Sequence, residues 1–374
     1  MARKREFGHV KRIVIKVGTS SLTHKTGKLN LGQMEKLVRE MADLYNEGRE
    51  LLLVTSGAVG AGMGRLGWKT RPKTIPEKQA CAAVGQGLLL QVYENFFSQY
   101  GITVGQVLLT RDDFADRRRF LNARNTLLTL LRLGILPIIN ENDTVAVDEI
   151  RFGDNDTLSA LVTNLIDAEM LLILSDVDGL YTADPRKDPA ARFIPEVEKI
   201  TPELEAVAGG AGSATGSGGM VTKFQAAQIV GQAGAVMVIA AAAADNVLRR
   251  VLAGEEIGTV FWPAERHLKG RKRWILFGTT VQGKIYVDEG AARALCEDGR
   301  SLLPSGIVGV EGDFEAGHAV SIIAPGGREI ARGLVNYAAA EVDRMKGLKT
   351  REIAALMGQQ PYDEVVHRDN LVLT

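Results

Sequence analysis

An α/β fold built on a mostly parallel sheet covered on both faces, followed by a small β-rich module, is what this 374-residue sequence predicts. Three observations lead there. Apolar runs of about five residues, without polar alternation, recur through the first two thirds of the chain. Each is followed by a stretch with helical spacing, the pattern of parallel strands buried on both faces by crossover helices. Beyond Thr280 the chain changes to short β-rich segments separated by turns, the mark of a compact β module.

The elements follow in order. Arg12–Val17 is a β-rich run ending at Gly18, and Leu29–Tyr45 shows helical spacing of Leu, Met and Val. Leu51–Thr55 is an apolar strand that breaks into Ser56-Gly57-Ala58-Val59-Gly60-Ala61-Gly62, ahead of a long helix over Lys78–Phe97. A third strand, Thr103–Leu109, precedes a helix at Asn122–Leu133, and a fourth, Ile135–Ile139, runs into the polar cluster Asn140-Glu141-Asn142-Asp143. Leu158–Ile166 reads as helix, and Met170–Leu174 and Val236–Ala240 as strands. Gly254–Thr280, with Trp262-Pro263 and the charged run ERHLKGRKRW, contains the linker. The β segments after it are Lys284–Val287, Gly306–Val310, Ala319–Ile323 and Ile330–Val335.

Composition removes several function classes. The length suggests two domains, and 45 % hydrophobic with 24 % charged residues is the balance of a soluble globular protein. Lys+Arg and Asp+Glu both number 45, so the whole chain offers no electrostatic pull toward nucleic acid or membrane. The two cysteines, Cys81 and Cys296, are far apart, which argues against a zinc site or a disulfide framework and for a reducing, cytoplasmic setting. The basic N-terminus leads into a strand rather than a signal-peptide core, and the longest apolar run, Ala233–Ala244, is too short to span a bilayer.

Ligands of parallel sheets sit at the carboxyl ends of the strands, and the polar loops fall there. Phe152-Gly153-Asp154-Asn155-Asp156 sets two carboxylates and an amide behind a glycine, which reads as a rigid polar loop or as a helix N-cap at Asp154 or Asp156. Lys16-Val17-Gly18-Thr19 pairs an ammonium with small residues, as a phosphate site needs, although many surface strands end in lysine. Ser56-Gly57-Ala58-Val59-Gly60 is a strand-to-helix turn suited to an anion or to tight helix packing. Ser175-Asp176-Val177-Asp178-Gly179 follows a strand directly. Gly209–Lys223 has a linker's composition, yet it ends on Thr222-Lys223 at the mouth of an amphipathic helix, as a phosphate clamp would. There is no GxxxxGK[ST], and the one GxGxxG, Gly62–Gly67, begins several residues after its strand has ended. None of the five histidines lies in these loops, which speaks against a Ser/His/Asp triad or a histidine metal site.

Taken together, VIKVGTSSL, LLLVTSGAVGAG, QVLLTRDDF, IINENDTVAVDEIRFGDNDTLSALV, LLILSDVDGLYTADPR and GSGGMVTKFQAA resemble the amino-acid kinase family, and within it the branch acting on L-glutamate. The tail from Val281 resembles a PUA domain. The resemblance implies an αβα sandwich over residues 1–262, a linker at 263–280, a PUA domain at 281–360 and a C-terminal tail at 361–374. It implies transfer of the γ-phosphoryl group of ATP to the γ-carboxylate of glutamate, the first step toward proline, with Mg2+ on the phosphates and no metal ligand assigned in the protein. Lys16, Asp156 and Lys223 are then catalytic, and Ser56, Asp143 and Asn155 bind glutamate. Lys16, Gly18, Ser175, Asp176, Ser217, Gly218, Gly219, Met220, Val221, Thr222 and Lys223 meet ATP. Proline as feedback inhibitor, a dimer or tetramer, and contact with glutamate-5-semialdehyde dehydrogenase are the partners it suggests.

Two departures stand out: Phe224 replaces a usual aliphatic residue, and VIAAAAADN replaces a stretch that more often holds a serine-glycine turn. PUA domains elsewhere commonly bind RNA, the rival function. Residues 281–374, however, carry 10 Lys+Arg against 14 Asp+Glu, a net of −4, the wrong sign for an RNA face. The nearer rivals are relatives that phosphorylate acetylglutamate, aspartate, carbamate or UMP.

Overall fold

A computed structural model describes residues 4–24, 26, 28–145, 155–183, 188–202, 204, 219–263, 272, 274–349, 352–353 and 362–374. The chain divides into two compact units, Met1–His267 and Leu268–Thr374. The first unit runs β1 (Arg12–Val17), α1 (Thr19–Leu22), α2 (Leu31–Asn46), β2 (Glu50–Thr55), α3 (Ala58–Leu66) and α4 (Ile75–Ser98). It continues with β3 (Val104–Leu109), α5 (Arg111–Ala115), α6 (Arg117–Arg132), β4 (Leu136–Glu141), α7 (Asn155–Leu165) and β5 (Met170–Ser175). Short strands β6 (Leu180–Tyr181), β7 (Phe193–Ile194) and β8 (Glu196–Val197) precede α8 (Met220–Gln232), β9 (Val236–Ala241), α9 (Val247–Leu252) and β10 (Thr259–Phe261).

Eight strands form one sheet in the order β3-β4-β2-β1-β5-β9-β10-β8. Its pairings are parallel except that of β10 with β9. The apolar runs are buried as continuous strands because both faces are covered. Ile13, Ile15 and Val17 of β1 pack in one cluster with Leu37 and Met41 of α2 and Leu89, Tyr93 and Phe97 of α4. Val14 and Lys16 alternate to the opposite face and are buried there, so Lys16 sits on a covered face rather than at a solvated strand end.

Helix boundaries follow caps that periodicity alone does not reveal. α4 begins at Ile75, ahead of the expected Lys78, because Thr74 and Glu77 form a capping box and Pro76 fits the first turn. α6 begins at Arg117, where the Asp116 carboxylate accepts the N–H of Arg119 at 2.8 Å. Strand β4 continues through Asn140 and Glu141, two polar residues that read as the start of a loop but are buried. α3 and α4 approach closely: a Cβ on Gly62 would lie 1.9 Å from the Cys81 carbonyl oxygen, and one on Gly85 1.7 Å from that of Ala58. The Gly62 of the rejected GxGxxG therefore serves helix packing.

The second unit is a five-stranded sheet, ordered β12 (Ile307–Gly312), β11 (Val281–Val287), β13 (Ala319–Ile323), β14 (Glu329–Leu334), β15 (Leu371–Leu373). Its core joins Ile285, Val320, Ile322 and Leu371 to Leu295 of α10 (Glu289–Cys296) and Val342 and Met345 of α11 (Ala339–Met345). Two segments that read from sequence as connections are structural. Within the expected linker, Trp274–Gly278 forms a π-helical turn whose Leu276 carbonyl accepts Arg332 Nη1 at 3.1 Å, burying Trp274, Ile275 and Leu276. Within the expected tail, Leu371–Leu373 is the edge strand paired to β14. Apolar side chains explain both, since each segment has something to bury.

Candidate active site

The polar residues gather where the sheet topology places them, at the carboxyl ends of β1, β2, β4 and β5 and the N-termini of α7 and α8. Lys16 comes from the central strand, Asp156 from the first turn of α7, and Lys223 from the first turn of α8. Lys16 Nζ lies 2.5 Å from Asp156 Oδ1 and Lys223 Nζ 3.1 Å from Asp156 Oδ2. All three are buried, Asp156 completely (0 % exposed). Burial opposes ionisation of Asp156, but the Lys16 and Lys223 ammonium groups and their hydrogen bonds outweigh it and hold the carboxyl below the usual aspartate range. Two ammonium groups and one carboxylate leave the trio a net positive charge in a water-poor place, which is what an incoming anion requires.

A second group lies at the ends of β2 and β4. Asn155 Nδ2 is 2.7 Å from the Thr55 carbonyl, 2.8 Å from Asn140 Oδ1 and 3.1 Å from Ser56 Oγ. The Thr55 carbonyl can only accept, so the atom facing it must be the amide nitrogen. The Glu141 N–H, 2.9 Å from the Asn140 side chain, fixes Oδ1 there by the same logic. Behind them Gln86 Nε2 donates to the Glu141 carbonyl at 3.2 Å, and the Thr55 and Tyr93 hydroxyls meet at 3.0 Å. Burial raises the Tyr93 pKa, so its hydroxyl stays neutral. Asp143 is half-buried in the turn that closes β4.

The structure thus joins Lys16, Asp156 and Lys223 in one cluster and Ser56 and Asn155 in a neighbouring one, linked by the adjacency of Asn155 and Asp156 on α7. Ser175 is buried with its hydroxyl 3.2 Å from Asp176 Oδ1, and Asp176 is exposed. Gly219 caps α8, and Met220, Val221 and Thr222 form its first turn. Ser217 and Gly218, with Phe152, Gly153 and Asp154, lie outside the described residues. The Gly18 N–H turns to the Leu174 carbonyl at 3.4 Å, and its missing side chain leaves room beside Lys16, where a Cβ would stand 3.8 Å from Nζ. Gln86 and Tyr93 were not legible as site partners, whereas Asn140 stood in the polar cluster at the end of β4.

Both departures in the sequence find a structural place. Phe224 packs edge-to-face on Phe261, ring centroids 5.8 Å apart. The alanine-rich run is gripped by one face of α2: Gln33 Nε2 donates to the Ala242 carbonyl at 2.6 Å and Lys36 Nζ to that of Ala243 at 2.9 Å. Ala242 N–H in turn donates to the Ser175 carbonyl at 2.8 Å, so the run lies beside the Ser175-Asp176 loop. Among the described residues there is no group of three His, Cys, Asp or Glu side chains that would hold a metal, and Asp156 is committed to its lysines. Nor is any described helix long and apolar enough to cross a membrane.

Residues 11–241, more than half of the chain, match the amino acid kinase family. The chain belongs to the amino acid kinase family. Residues 283–357 match the PUA domain. Among curated members of the kinase family, "Glutamate 5-kinase" of Moorella thermoacetica is 60 % identical over 367 residues, 98 % of this chain and 97 % of that protein. "Glutamate 5-kinase" of Carboxydothermus hydrogenoformans is 57 % identical over 366 residues, 98 % of each. "Glutamate 5-kinase" of Geobacter sp. strain M21 is 51 % identical over 371 residues, 99 % of this chain and all of that protein. The kinase-family match spans every strand from β1 to β9 and both clusters of polar residues.

Proposed function

We propose that this chain transfers the γ-phosphoryl group of ATP to the γ-carboxylate of L-glutamate, giving L-glutamyl 5-phosphate, the opening step of proline biosynthesis. The observation that carries the reading is the convergence of Lys16 and Lys223 on the buried Asp156. Near-full-length identity to relatives named for glutamate selects the acceptor.

A carboxylate with an ordinary pKa of about 4.3 is ionised at neutral pH, so the nucleophile needs no general base, in keeping with a site without histidine. The difficulty is repulsion: like unit charges about 4 Å apart oppose one another by about 4 kcal/mol at an effective dielectric of 20. Lys16 and Lys223 offset that charge, reaching the phosphoryl group from a strand end and a helix end. Asp156 keeps the two ammonium groups apart from each other and aimed, and the N-terminus of α8 adds its partial positive charge toward phosphate. Ser56, Asn155 and Asp143 take the amino-acid part of glutamate, Asp143 facing its ammonium.

Mg2+ would ride on the phosphate oxygens of ATP, where it would neutralise charge. Phosphotransfer belongs to the first unit and a structural or regulatory role to the second, within a cytoplasmic homo-oligomer. Proline competing for the glutamate pocket and contact with glutamate-5-semialdehyde dehydrogenase complete the reading. The test is ATP-dependent hydroxamate formation with glutamate, acetylglutamate and aspartate in turn, plus ADP release for carbamate and UMP. Turnover confined to glutamate is expected, and a preference for another acceptor refutes the assignment.

A further inference from the structure

We propose that Thr222, which the resemblance sets among the ATP contacts, is instead a positioning residue that tethers Asp156 while the Lys223 ammonium turns from the carboxylate to the transferring phosphoryl group; the inference rests on the phosphotransfer reading. Thr222 Oγ1 lies 3.1 Å from Asp156 Oδ2 and 2.8 Å from the Gly219 carbonyl. The hydroxyl has one hydrogen to give and two acceptors in reach. The carboxylate is the stronger claimant, because a hydrogen bond to an ionised acceptor is roughly twice as strong as a neutral one. The Gly219 carbonyl, at the cap position of α8, also has the first helical N–H to satisfy it.

Lys223 and Thr222 therefore serve the same oxygen, Oδ2, from adjacent positions of one helical turn. Lys223 cannot hold Asp156 with full strength and follow a phosphoryl group at once. When its ammonium leaves, Oδ2 loses a charged donor in a place without solvent exposure, where each remaining donor counts for more. The Thr222 donor is neutral, short and fixed to the backbone, so it has no reason to leave with the phosphate. It keeps the carboxylate ionised and its plane set, and Oδ1 stays aimed at Lys16 throughout.

The full chain carrying Thr222→Val, Thr222→Ser or Thr222→Ala decides the matter through kcat, KM for ATP and for glutamate across pH, and acid unfolding. Thr222→Val keeps the shape and removes the donor. It is expected to lower kcat by about tenfold to a hundredfold with KM for ATP within about twofold. The acid limb of kcat is expected to move to higher pH, because a carboxylate that loses a donor binds a proton more readily. Thr222→Ser should recover most of the loss; should the valine chain not fold, the Ala and Ser pair carries the same comparison.

A Thr222→Val chain with the parent's kcat and acid limb overturns the proposal, as does a loss confined to KM for ATP, which would make the hydroxyl a nucleotide contact. Failure of the phosphotransfer reading shows separately. A parent chain that makes no glutamyl phosphate sinks that reading. The tether is then judged by the acid-unfolding midpoint alone: a higher midpoint pH in Thr222→Val than in Thr222→Ser supports it, and equal midpoints refute it.

Discussion

Asp156 carries a charge that burial opposes and two ammonium groups restore. Its lowered pKa has a definite sign in stability: the contribution is present above the ordinary aspartate range and is lost as pH falls through the depressed folded value. Asp156→Asn leaves two lysines buried without their counter-charge and is expected to destabilise the first unit by about 3–5 kcal/mol at neutral pH. The gap to the parent should narrow as pH falls, because the parent's carboxyl is then protonated as well; denaturant melts of both chains over a pH series check this. Lys16→Ala and Lys223→Ala are each expected to lower kcat by about 10²–10³-fold, with smaller changes in KM for glutamate. Asp143→Ala should chiefly raise that KM, and steady-state kinetics with the reverse pattern would undo the assignment. Residue chemistry of this kind was legible in the sequence as residue type beside a strand end, since lysines before glycine-rich turns suit phosphate wherever they occur. That Thr222 and Lys223 share one oxygen of Asp156 was not legible, because the three meet only through the packing of α7 on α8.

At the scale of elements, the close approach of α3 and α4 holds the helix whose cap, Gly57, follows Ser56. Gly62→Ala and Gly85→Ala would each drive a methyl into backbone, at 1.9 Å and 1.7 Å from a carbonyl oxygen, and the helices must part. Each is expected to destabilise by about 1–3 kcal/mol or more and to raise KM for glutamate, since Ser56 directly precedes the Gly57 cap of α3. Thermal unfolding together with kinetics separates this from a purely local effect. In the second unit, a chain ending at Asn370 loses β15, and the β14 amide of Arg332, which faces β15 opposite Val372, is expected to exchange hydrogen faster. Six strands of the large sheet, β1 to β5 and β9, were readable because burial removes polar alternation, so each announces itself as an apolar run. The two-residue strand β8 and the three-residue strand β10 were not, since segments so short acquire their identity from the neighbour they pair with.

For the whole molecule, a net charge of zero and a net of −4 over residues 281–374 leave little to draw a polyanion. Filter binding of total RNA to the full chain is expected to show no retention at about physiological salt, and retention that falls steeply with added salt would reopen the RNA reading of the PUA domain. The order of the motifs along the chain was sufficient to identify an α/β unit followed by a β-rich one, because periodicity and glycine-bearing turns are local properties of the polypeptide. What the local pattern could not contain is which distant residues share an oxygen. The eight-strand order puts β1 between β2 and β5, and so carries Lys16 to a face that α7 and α8 cover. Only that arrangement turns two lysines and an aspartate from one strand and two helices into one charged cluster, since the Coulomb energy binding them depends on separations set by packing rather than on position in the chain.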